Sequence, residues 1–403
     1  MQVTTRHKQT TRFLEIRETM KNWRIWLFIL TLSIGCKKPY NPKVINSPRS
    51  YFVVEGTINT NDTTTIKLSR TVNLTSNVTT NPVAGTVVVE CDNGSNYGLY
   101  EAAPGIYKLA GVTLDSIRKF RVRITTPDDG KEYLSEYEQA KAAPPIDSVG
   151  FSLTGKGIQL YANTHDPKNA THYYRFDYVE TWRFHTMYSS SYISNGTAIV
   201  PRSQDQLVYY CFASSASTSI VLGSSAKLKQ DVLFQLPITA IESTSEKIEL
   251  KYSILLREYP LTAEGYKFWE TLKKNTEQLG SIFDAEPTTL SGNIHNTHDA
   301  KDIVVGFISA GTVAKKRIFI ASEQLPSTYL PKYPYECSID STFYDDPHSH
   351  ANTVLQRLLA GTEVPVNAIF ISSSPTPIGY TASDISCIDC TLRGSKQQPD
   401  FWR

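Results

Sequence analysis

The chain has 403 residues, a formal net charge of +2, 40% hydrophobic residues and 20% charged residues. This composition is typical of globular proteins, and it excludes a wholly disordered chain, a collagen and a multi-pass membrane protein. The 41 basic and 39 acidic residues are balanced. Because nucleic-acid-binding domains usually carry a basic face, no nucleic-acid partner is expected. The 23 tyrosines, with 21 glycines and 21 prolines, favour β-structure with frequent turns.

The first 36 residues have the features of a bacterial lipoprotein signal. Lys21 and Arg24 precede a short apolar run over residues 26–35, and Cys36 follows it. A bilayer span needs about 20 apolar residues, so the run predicts a secretory signal and not a membrane helix. Cys36 is the predicted lipidation site, whose acyl chains, such as palmitate, would anchor the protein in a membrane. The alternative is a plain signal peptide with an incidental cysteine.

The segments on either side of this signal also carry predictions. Residues 1–19 hold no apolar run, and a compact signal begins at Met20, so we predict that translation starts there. Residues 37–50 contain Pro39, Pro42 and Pro48 and have no packing face. This composition predicts a tether between the anchor and the folded chain.

Residues 51–143 predict an all-β domain. Residues 51–58 are β-branched and aromatic, residues 119–124 alternate strictly between polar and apolar, and Asp92-Asn93-Gly94 is a turn. About seven short strands at this spacing predict an immunoglobulin-like β-sandwich. Pro144 and Pro145 cannot join a strand ladder and mark the boundary.

Residues 146–403 predict a larger β-rich domain with one amphipathic helix and a cysteine-containing C-terminal loop. The helix is predicted over residues 262–279, with Thr262 as its cap and its aromatic stripe packed against a sheet. Residues 188–197 are polar and predict a long loop, and residues 351–360 a short second helix. The fold class predicted from the whole chain is therefore mainly β. The predicted strands of this region are residues 157–162, 173–179, 207–212, 232–236, 247–256, 303–308 and 317–320.

Five cysteines remain after Cys36. An exported protein enters an oxidising compartment, where disulfides persist. Cys387 and Cys390 are read as a structural disulfide element, with half of a metal site and a redox pair as alternatives. Cys337 is a candidate partner for either of them. Because five is odd, one thiol should stay free, and Cys91 in an apolar strand is the best candidate.

No catalytic motif is present, and neither catalytic residues nor a cofactor are predicted. Asp345, His348 and His350 are weak candidates for a metal site, and a solvated acidic loop is the simpler interpretation. Trp182, Tyr188 and Tyr192 lie in or beside the long polar segment, where exposed aromatic rings would form contact surface. For Trp182, packing in the core is an equally good interpretation.

Several segments together resemble one family. They are Val53-Val54-Glu55-Gly56-Thr57-Ile58, Pro144-Pro145-Ile146-Asp147-Ser148, Leu261-Thr262-Ala263-Glu264-Gly265-Tyr266-Lys267-Phe268-Trp269, Cys387-Ile388-Asp389-Cys390 and Pro399-Asp400-Phe401-Trp402. The ordered set resembles the Bacteroidota lipoproteins catalogued as domain of unknown function 4249. The resemblance implies no catalytic residues. It does imply an accessory role at the outer membrane, beside TonB-dependent β-barrel receptors.

The sequence thus favours an outer-membrane-anchored, non-enzymatic binding module that partners such a receptor in uptake of a small nutrient or glycan. One alternative is a surface or periplasmic hydrolase acting on glycans or peptides, and another is an adhesin or structural surface protein. Lys37 and Lys38 follow Cys36 where surface-exported lipoproteins of this phylum usually carry acidic residues. The face of the membrane is therefore left open.

Overall fold

The computed structural model describes residues 50–72, 81–277, 290, 292–372 and 374–402. The predicted signal, the start at Met20, the lipidation of Cys36 and residues 37–49 of the tether lie outside the described residues. The last two residues of the predicted helix, 278 and 279, lie outside them as well.

The described chain is mainly β, which confirms the predicted fold class. Its strands, in chain order, are β1 (Phe52–Asn59), β2 (Thr64–Arg70), β3 (Asn81–Pro82), β4 (Thr86–Cys91), β5 (Asn96–Gly98), β6 (Tyr100–Ala103), β7 (Ile106–Leu109), β8 (Lys119–Thr125), β9 (Glu132–Ser135), β10 (Glu138–Gln139), β11 (Ile146–Thr154), β12 (Gly157–His165), β13 (Tyr173–His185), β14 (Tyr192–Ser194), β15 (Ile199–Pro201), β16 (Tyr210–Ala216), β17 (Val221–Ser224), β18 (Val232–Glu242), β19 (Lys251–Pro260), β20 (Ile294–Asn296), β21 (Val304–Val305), β22 (Ser309–Gly311), β23 (Ala314–Ala321), β24 (Asp340–Phe343), β25 (Val364–Ile369) and β26 (Gly379–Ser383). The helical segments are α1 (Ala263–Glu277), a π-helix at Val354–Leu359, and 3₁₀ turns at Gln204–Gln206, Glu246–Ile248, Ser322–Gln324, Ile385–Cys387 and Cys390–Leu392.

A first β-sandwich occupies the N-terminal part of the described chain. One sheet has the strand order β21-β1-β2-β7-β6, and the other has the order β20-β9-β8-β4-β5. Along β8 the side chains of Phe120, Val122 and Ile124 are buried, whereas the residues between them point outward. This alternation is what an antiparallel sheet with one solvated face requires.

Residues 294–311 complete this sandwich, although they are more than 150 residues away in sequence from the strands with which they pair. Strand β20 pairs with β9, and β21 and β22 pair with β1 in parallel. Ile294, Val304 and Ile308 therefore join the same hydrophobic core as Phe52. The predicted region 146–403 thus contributes three strands to the sandwich that residues 51–143 begin.

A second β-sandwich follows. A sheet of order β11-β12-β18 and a sheet of order β16-β13-β19-β23 supply one hydrophobic core. Tyr174, Phe176, Tyr252, Ile254 and Leu256 are fully buried in it. Tyrosine, phenylalanine and β-branched residues make up more than half of β13, because they fit a pleated, half-buried surface.

A small third sheet of order β24-β26-β25 lies near the C-terminus. It shares a separate core with the π-helix and with Ile199 of β15. The polar segment 188–197, predicted to be a long loop, instead contains β14, which pairs with β15 as a hairpin. The Asn195 side chain closes the turn by accepting hydrogen bonds from the backbone N–H groups of Thr197 (3.0 Å) and Ala198 (2.8 Å).

Two disulfides hold this C-terminal part. Cys211 is bonded to Cys390, and Cys337 is bonded to Cys387. Disulfide bonding of the predicted candidates Cys337, Cys387 and Cys390 is thereby confirmed. Cys211, which the sequence analysis did not name as a partner, is the residue bonded to Cys390. Cys91, in β4, is the free cysteine of the described residues and is buried.

Helix α1 begins one residue after its predicted start. The Thr262 hydroxyl accepts a hydrogen bond from the Gly265 N–H (3.1 Å), which caps an otherwise unpaired donor of the first turn. Phe268 is buried against Phe307 with ring centroids 5.7 Å apart, so this residue of the aromatic stripe packs inward as predicted. Within the described part of the chain, no helix is long and apolar enough to cross a bilayer.

Replacing Thr262 by alanine should lower the free energy of unfolding by about 1 kcal/mol, because the Gly265 N–H loses its acceptor. The matched control is Thr271→Ala in the middle of the same helix, where the hydroxyl only donates to the Lys267 carbonyl. Alanine there should be neutral or slightly stabilising. Urea denaturation of both variants measures the difference. Equal urea denaturation midpoints for the two variants would contradict the capping role of Thr262.

Candidate functional site

A polar cleft of about 480 Å³ lies between the two sandwiches. Strands β1 and β2 of the first sandwich form one wall, and β13, β19 and helix α1 form the other. The first wall contributes Glu55, Gly56, Thr57, Asn59, Asp62, Thr63, Thr65, Lys67 and, from β7, Lys108; the second contributes Arg175, Asp177, Arg257, Tyr259 and Trp269. Ligand-binding clefts commonly have volumes of this order.

Alternation along β13 places the charged groups of the second wall. Tyr174 and Phe176 point into the core, so Arg175 and Asp177 point to the opposite face. In the register of β13 and β19, Asp177 lies opposite Arg257 and Arg175 lies opposite Tyr259. Facing residues of antiparallel strands are close enough to interact directly.

The second wall is a connected set of charges and rings. Arg257 donates from Nε to Asp177, and Arg175 Nη1 lies 3.7 Å from the second oxygen of that carboxylate. The Arg175 guanidinium lies over the Tyr259 ring at 4.4 Å and over the Trp269 ring at 4.7 Å. Burial, with the Asp177 charge adding to it, raises the pKa of Tyr259 to about 12. The phenol therefore stays protonated at neutral pH.

The first wall carries a second ion pair, between Asp62 and Lys315 of β23. Burial alone would raise the pKa of Asp62, but hydrogen bonds from Lys315 and from the Thr63 N–H outweigh it, and the charges of Lys315 and Arg257 add to them. The pKa therefore lies below its usual value, and the carboxylate is ionised at neutral pH. Because Arg257 belongs to the opposite wall, the two walls are electrostatically coupled.

Asn59, at the end of β1, is one of the residues that line this cleft. Its Nδ2 donates to the Thr63 carbonyl (2.9 Å), which fixes the orientation of the amide. Its Oδ1 is buried and has no hydrogen-bond partner, and the residue is 9% exposed.

A second cavity of about 470 Å³ lies beside the start of α1 and is lined by Glu136, Glu264 and Asn293 among others. Glu138 lies behind Asn293, whose Nδ2 donates to Glu138 Oε1 (3.1 Å). Burial raises the pKa of Glu138 to about 7, and the negative charges of Glu264 and Glu136 reinforce the shift against the Asn293 hydrogen bond. This carboxyl group is thus partly protonated at neutral pH.

The aromatic residues that the sequence suggested for binding lie away from both cavities. Trp182 is buried in the second core, where its Nε1 donates to Glu246 (3.4 Å). The Tyr188 hydroxyl donates to the Cys337 carbonyl (3.4 Å). Tyr192 packs edge-on against Tyr380 of the small third sheet, with ring centroids 5.3 Å apart. A contact surface at Tyr188 and Tyr192 stays a prediction.

The predicted weak metal residues lie on one exposed turn. His350 Nδ1 lies 3.2 Å from Asp345 Oδ1, and both side chains are about four-fifths exposed. Asp346 closes the turn by accepting hydrogen bonds from the N–H groups of His348 (3.0 Å) and Ser349 (2.9 Å). Among the described residues, no three His, Cys, Asp or Glu side chains come close enough to hold a metal ion.

Sequence reasoning missed the cleft between the sandwiches. Trp269 was assigned to the helix stripe that packs in the core, and the structure makes it a half-buried wall of the cleft. The alternation of Arg175 and Asp177 with buried aromatic residues was available as a signal. It shows a charged face on β13, but it does not show which surface that face meets.

Comparisons with known proteins bear on the family and not on this cleft. No protein with a curated description matches the chain. Among solved structures, the chain is similar to a two fibronectin type-III domain segment from chicken tenascin at 9% identity and TM-score 0.17, which covers 53% of this chain and 93% of that one. It is also similar to CBD12 from CALX1.2 at 11% identity and TM-score 0.14, and that match covers 68% of this chain and 100% of the other. Neither score supports an argument about fold.

The comparison with family models gives a match that covers most of the chain. The model described as Domain of unknown function (DUF4249) matches residues 37–317, which span the first sandwich and most of the second. The segments at Cys387–Cys390 and Pro399–Trp402, which contributed to the resemblance, lie beyond the matched residues. Because the match covers more than half of the sequence, the chain belongs to the DUF4249 family.

Proposed function

We propose that this protein is a non-enzymatic binding module, held at the outer membrane by lipid on Cys36, that serves a TonB-dependent β-barrel receptor as an accessory in nutrient uptake. The polar cleft between the sandwiches is its ligand site. The observation that carries this proposal is the paired-charge lining of the cleft, where Asp177 and Asp62 are each held by a basic partner. Groups arranged in this way bind a ligand by hydrogen bonds and keep their charge while doing so.

Lipidation and the tether complete the proposal. A lipidated Cys36 followed by residues 37–50 would leave the two sandwiches beside the membrane and close to a barrel. Stable anchoring by acyl chains needs more than a single chain, as a bacterial lipoprotein signal would supply. Replacing Cys36 by alanine should therefore release the protein from the membrane fraction and abolish incorporation of a palmitate analogue.

Purification of the tagged full chain from its native host in mild detergent tests the proposal. We expect an outer-membrane β-barrel receptor to be enriched over the same purification of an unrelated tagged lipoprotein. The Cys36→Ala variant should recover less of the receptor, because it no longer shares the membrane surface with it. Absence of any barrel from the purified material would contradict the accessory role.

A hydrolase is the alternative that one observation favours. A general acid works best when its pKa lies near the working pH, so that it is protonated and can donate its proton. The Glu138 carboxyl has a pKa of about 7 and lies beside a cavity that is lined by two further carboxylates. Cleavage of an oligosaccharide or peptide by the wild type, lost in Glu138→Gln, would replace the binding proposal by this one.

A further inference from the structure

Lys67 of β2 and Lys108 of β7 line the cleft without a partner among the described residues, since neither forms an ion pair or a hydrogen bond there through its side chain. Lys108 lies opposite Thr65, and Lys67 is two residues further along β2. Residues in this diagonal relation share one face of a sheet, with Cα atoms about 7–8 Å apart. Their like charges repel each other, and a negative group between them would relieve that repulsion.

Both lysines are open to the cleft. Lys67 is exposed and Lys108 is half-buried. Thr65 is half-buried on the same face and lines the same cleft. A ligand in the cleft is therefore able to reach two ammonium groups and a hydroxyl group, and all three are donors to an anion.

The opposite wall adds a second excess of positive charge. Arg257 and Arg175 share the single carboxylate of Asp177. Arg175 Nη1 is 3.7 Å from that carboxylate, which is beyond hydrogen-bond distance, and the Arg175 side chain is 17% exposed. The Tyr259 and Trp269 rings hold its guanidinium in position. Arg175 thus brings N–H donors to the cleft that have no acceptor among the described residues.

The acidic side chains of the cleft do not cancel this charge. The carboxylates of Asp62 and Asp177 each already have a basic partner. Glu55 lies opposite Lys67 in the register of β1 and β2, but the two form no ion pair within the described structure. Counting Lys315, which binds Asp62, five basic side chains face three acidic ones. A surplus of this kind attracts an anion and repels a cation.

We infer that the cleft binds a small organic anion, with a carboxylate or phosphate group of the ligand on Lys67 and Lys108. The volume of about 480 Å³ suits a molecule of about the size of a disaccharide and excludes a macromolecule. The ion pairs of Asp177 and Asp62 stay intact, because the lysines that bind the ligand belong to neither. The inference rests on the proposed function, since it names the ligand class of the same binding site.

Isothermal titration calorimetry on the full chain in detergent micelles tests this inference with anions and their uncharged counterparts. The carboxylate pairs are digalacturonate with its dimethyl ester and citrate with its trimethyl ester, and the phosphate pair is glucose 1,6-bisphosphate with glucose. We expect at least one anion to bind with Kd below about 1 mM, and its counterpart to bind at least about tenfold more weakly. The pair that shows this difference distinguishes a carboxylate ligand from a phosphate ligand. Absence of binding by every anion, or equal binding of the uncharged forms, would overturn the inference.

Substitution of the two lysines locates the binding. Lys67→Gln combined with Lys108→Gln should weaken binding of the anion at least about tenfold, because both positive charges beside its acidic group are lost. The matched control is Lys119→Gln combined with Lys156→Gln, which removes the same charge at two exposed lysines outside the cleft. The control should bind as the wild type does, and both double variants should keep the urea midpoint of the wild type. Equal binding by the two double variants would overturn the inference.

Glu55 provides a test of opposite sign. Its carboxylate lies opposite Lys67 and repels an anion bound there, so Glu55→Gln should tighten binding about threefold. Raising the salt concentration should weaken binding of the anion and leave that of its uncharged counterpart unaffected. Unchanged or weaker binding by Glu55→Gln would contradict the placement of the acidic group on the two lysines.

The two proposals fail separately. A receptor recovered from membranes together with no binding of any anion would remove the ligand class and leave the accessory role standing. Binding of an anion with no receptor would do the reverse.

Discussion

Replacing Glu258 by glutamine is expected to remove a large part of the loss of stability that we expect for the wild-type protein between pH 5 and 8. Glu258 lies on β19 inside the second sandwich with 0% of its surface exposed, and neither carboxyl oxygen has a hydrogen-bond partner. Burial raises the pKa of this group from 4.5 to about 8. The buried Thr164 hydroxyl opposes the shift, whereas the charges of Asp231 and Asp147 add to it.

The direction of the pH effect follows from that shift. Below pH 4.5 the carboxyl is protonated in both the folded and the unfolded chain, so its contribution is fully present. As the pH rises towards 8, the unfolded chain releases the proton and the folded chain retains it. Stability then falls by about 1.4 kcal/mol for each pH unit, or about 4–5 kcal/mol in all. Above the folded pKa the loss is complete.

Urea denaturation at a series of pH values measures the effect. We expect the difference in unfolding free energy between Glu258→Gln and the wild type to grow by about 4 kcal/mol from pH 5 to pH 8.5. Glu258→Leu should show the same trend, which would establish that the trend does not depend on the side-chain amide of the glutamine variant. Glu242→Gln, at an exposed residue of β18, is the matched control and should run parallel to the wild type. Parallel profiles for Glu258→Gln and the wild type would show that this group does not titrate as described.

Loss of either disulfide is the second large effect that we expect. The Cys211–Cys390 bond closes 179 residues, and the Cys337–Cys387 bond closes 50 residues. A cross-link restricts the unfolded chain, and removal of a native disulfide typically costs about 2–5 kcal/mol. Because the entropy of loop closure grows slowly with length, the longer loop should contribute about 1 kcal/mol more.

Paired variants test the magnitude and the order. Cys211→Ala with Cys390→Ala should lower the unfolding free energy more than Cys337→Ala with Cys387→Ala does, and dithiothreitol should destabilise each double variant less than it destabilises the wild type. Cys91→Ser is the control, since that thiol is in no disulfide. It should leave the shift caused by the reductant unchanged. A wild-type midpoint that dithiothreitol does not move would contradict the structural role of both bonds.

The sequence predicted the parts of the fold that local patterns encode. Strict polar and apolar alternation predicted β8, the aromatic run predicted β13, and a capping threonine with an aromatic stripe predicted α1 to within a residue at its start. Alternation and helical spacing report which face of an element is buried, and this information is contained in a few consecutive residues. The prediction of a long loop at residues 188–197 was wrong, because this segment contains β14. A three-residue strand cannot be distinguished from a loop while its pairing with β15 is unknown.

Tertiary structure alone decided which distant segments meet. The return of residues 294–311 to β1 and β9, and the partners of Cys387 and Cys390, depend on pairings across more than a hundred residues or across independent loops. The cleft also depends on tertiary structure, because it forms where the charged face of β13 meets the outer face of β1 and β2. The burial of Glu258 does so too, because a local pattern cannot distinguish it from a surface glutamate. A short stretch of sequence fixes the direction in which a side chain points along its own strand. The surface that lies opposite is set by the packing of the whole chain.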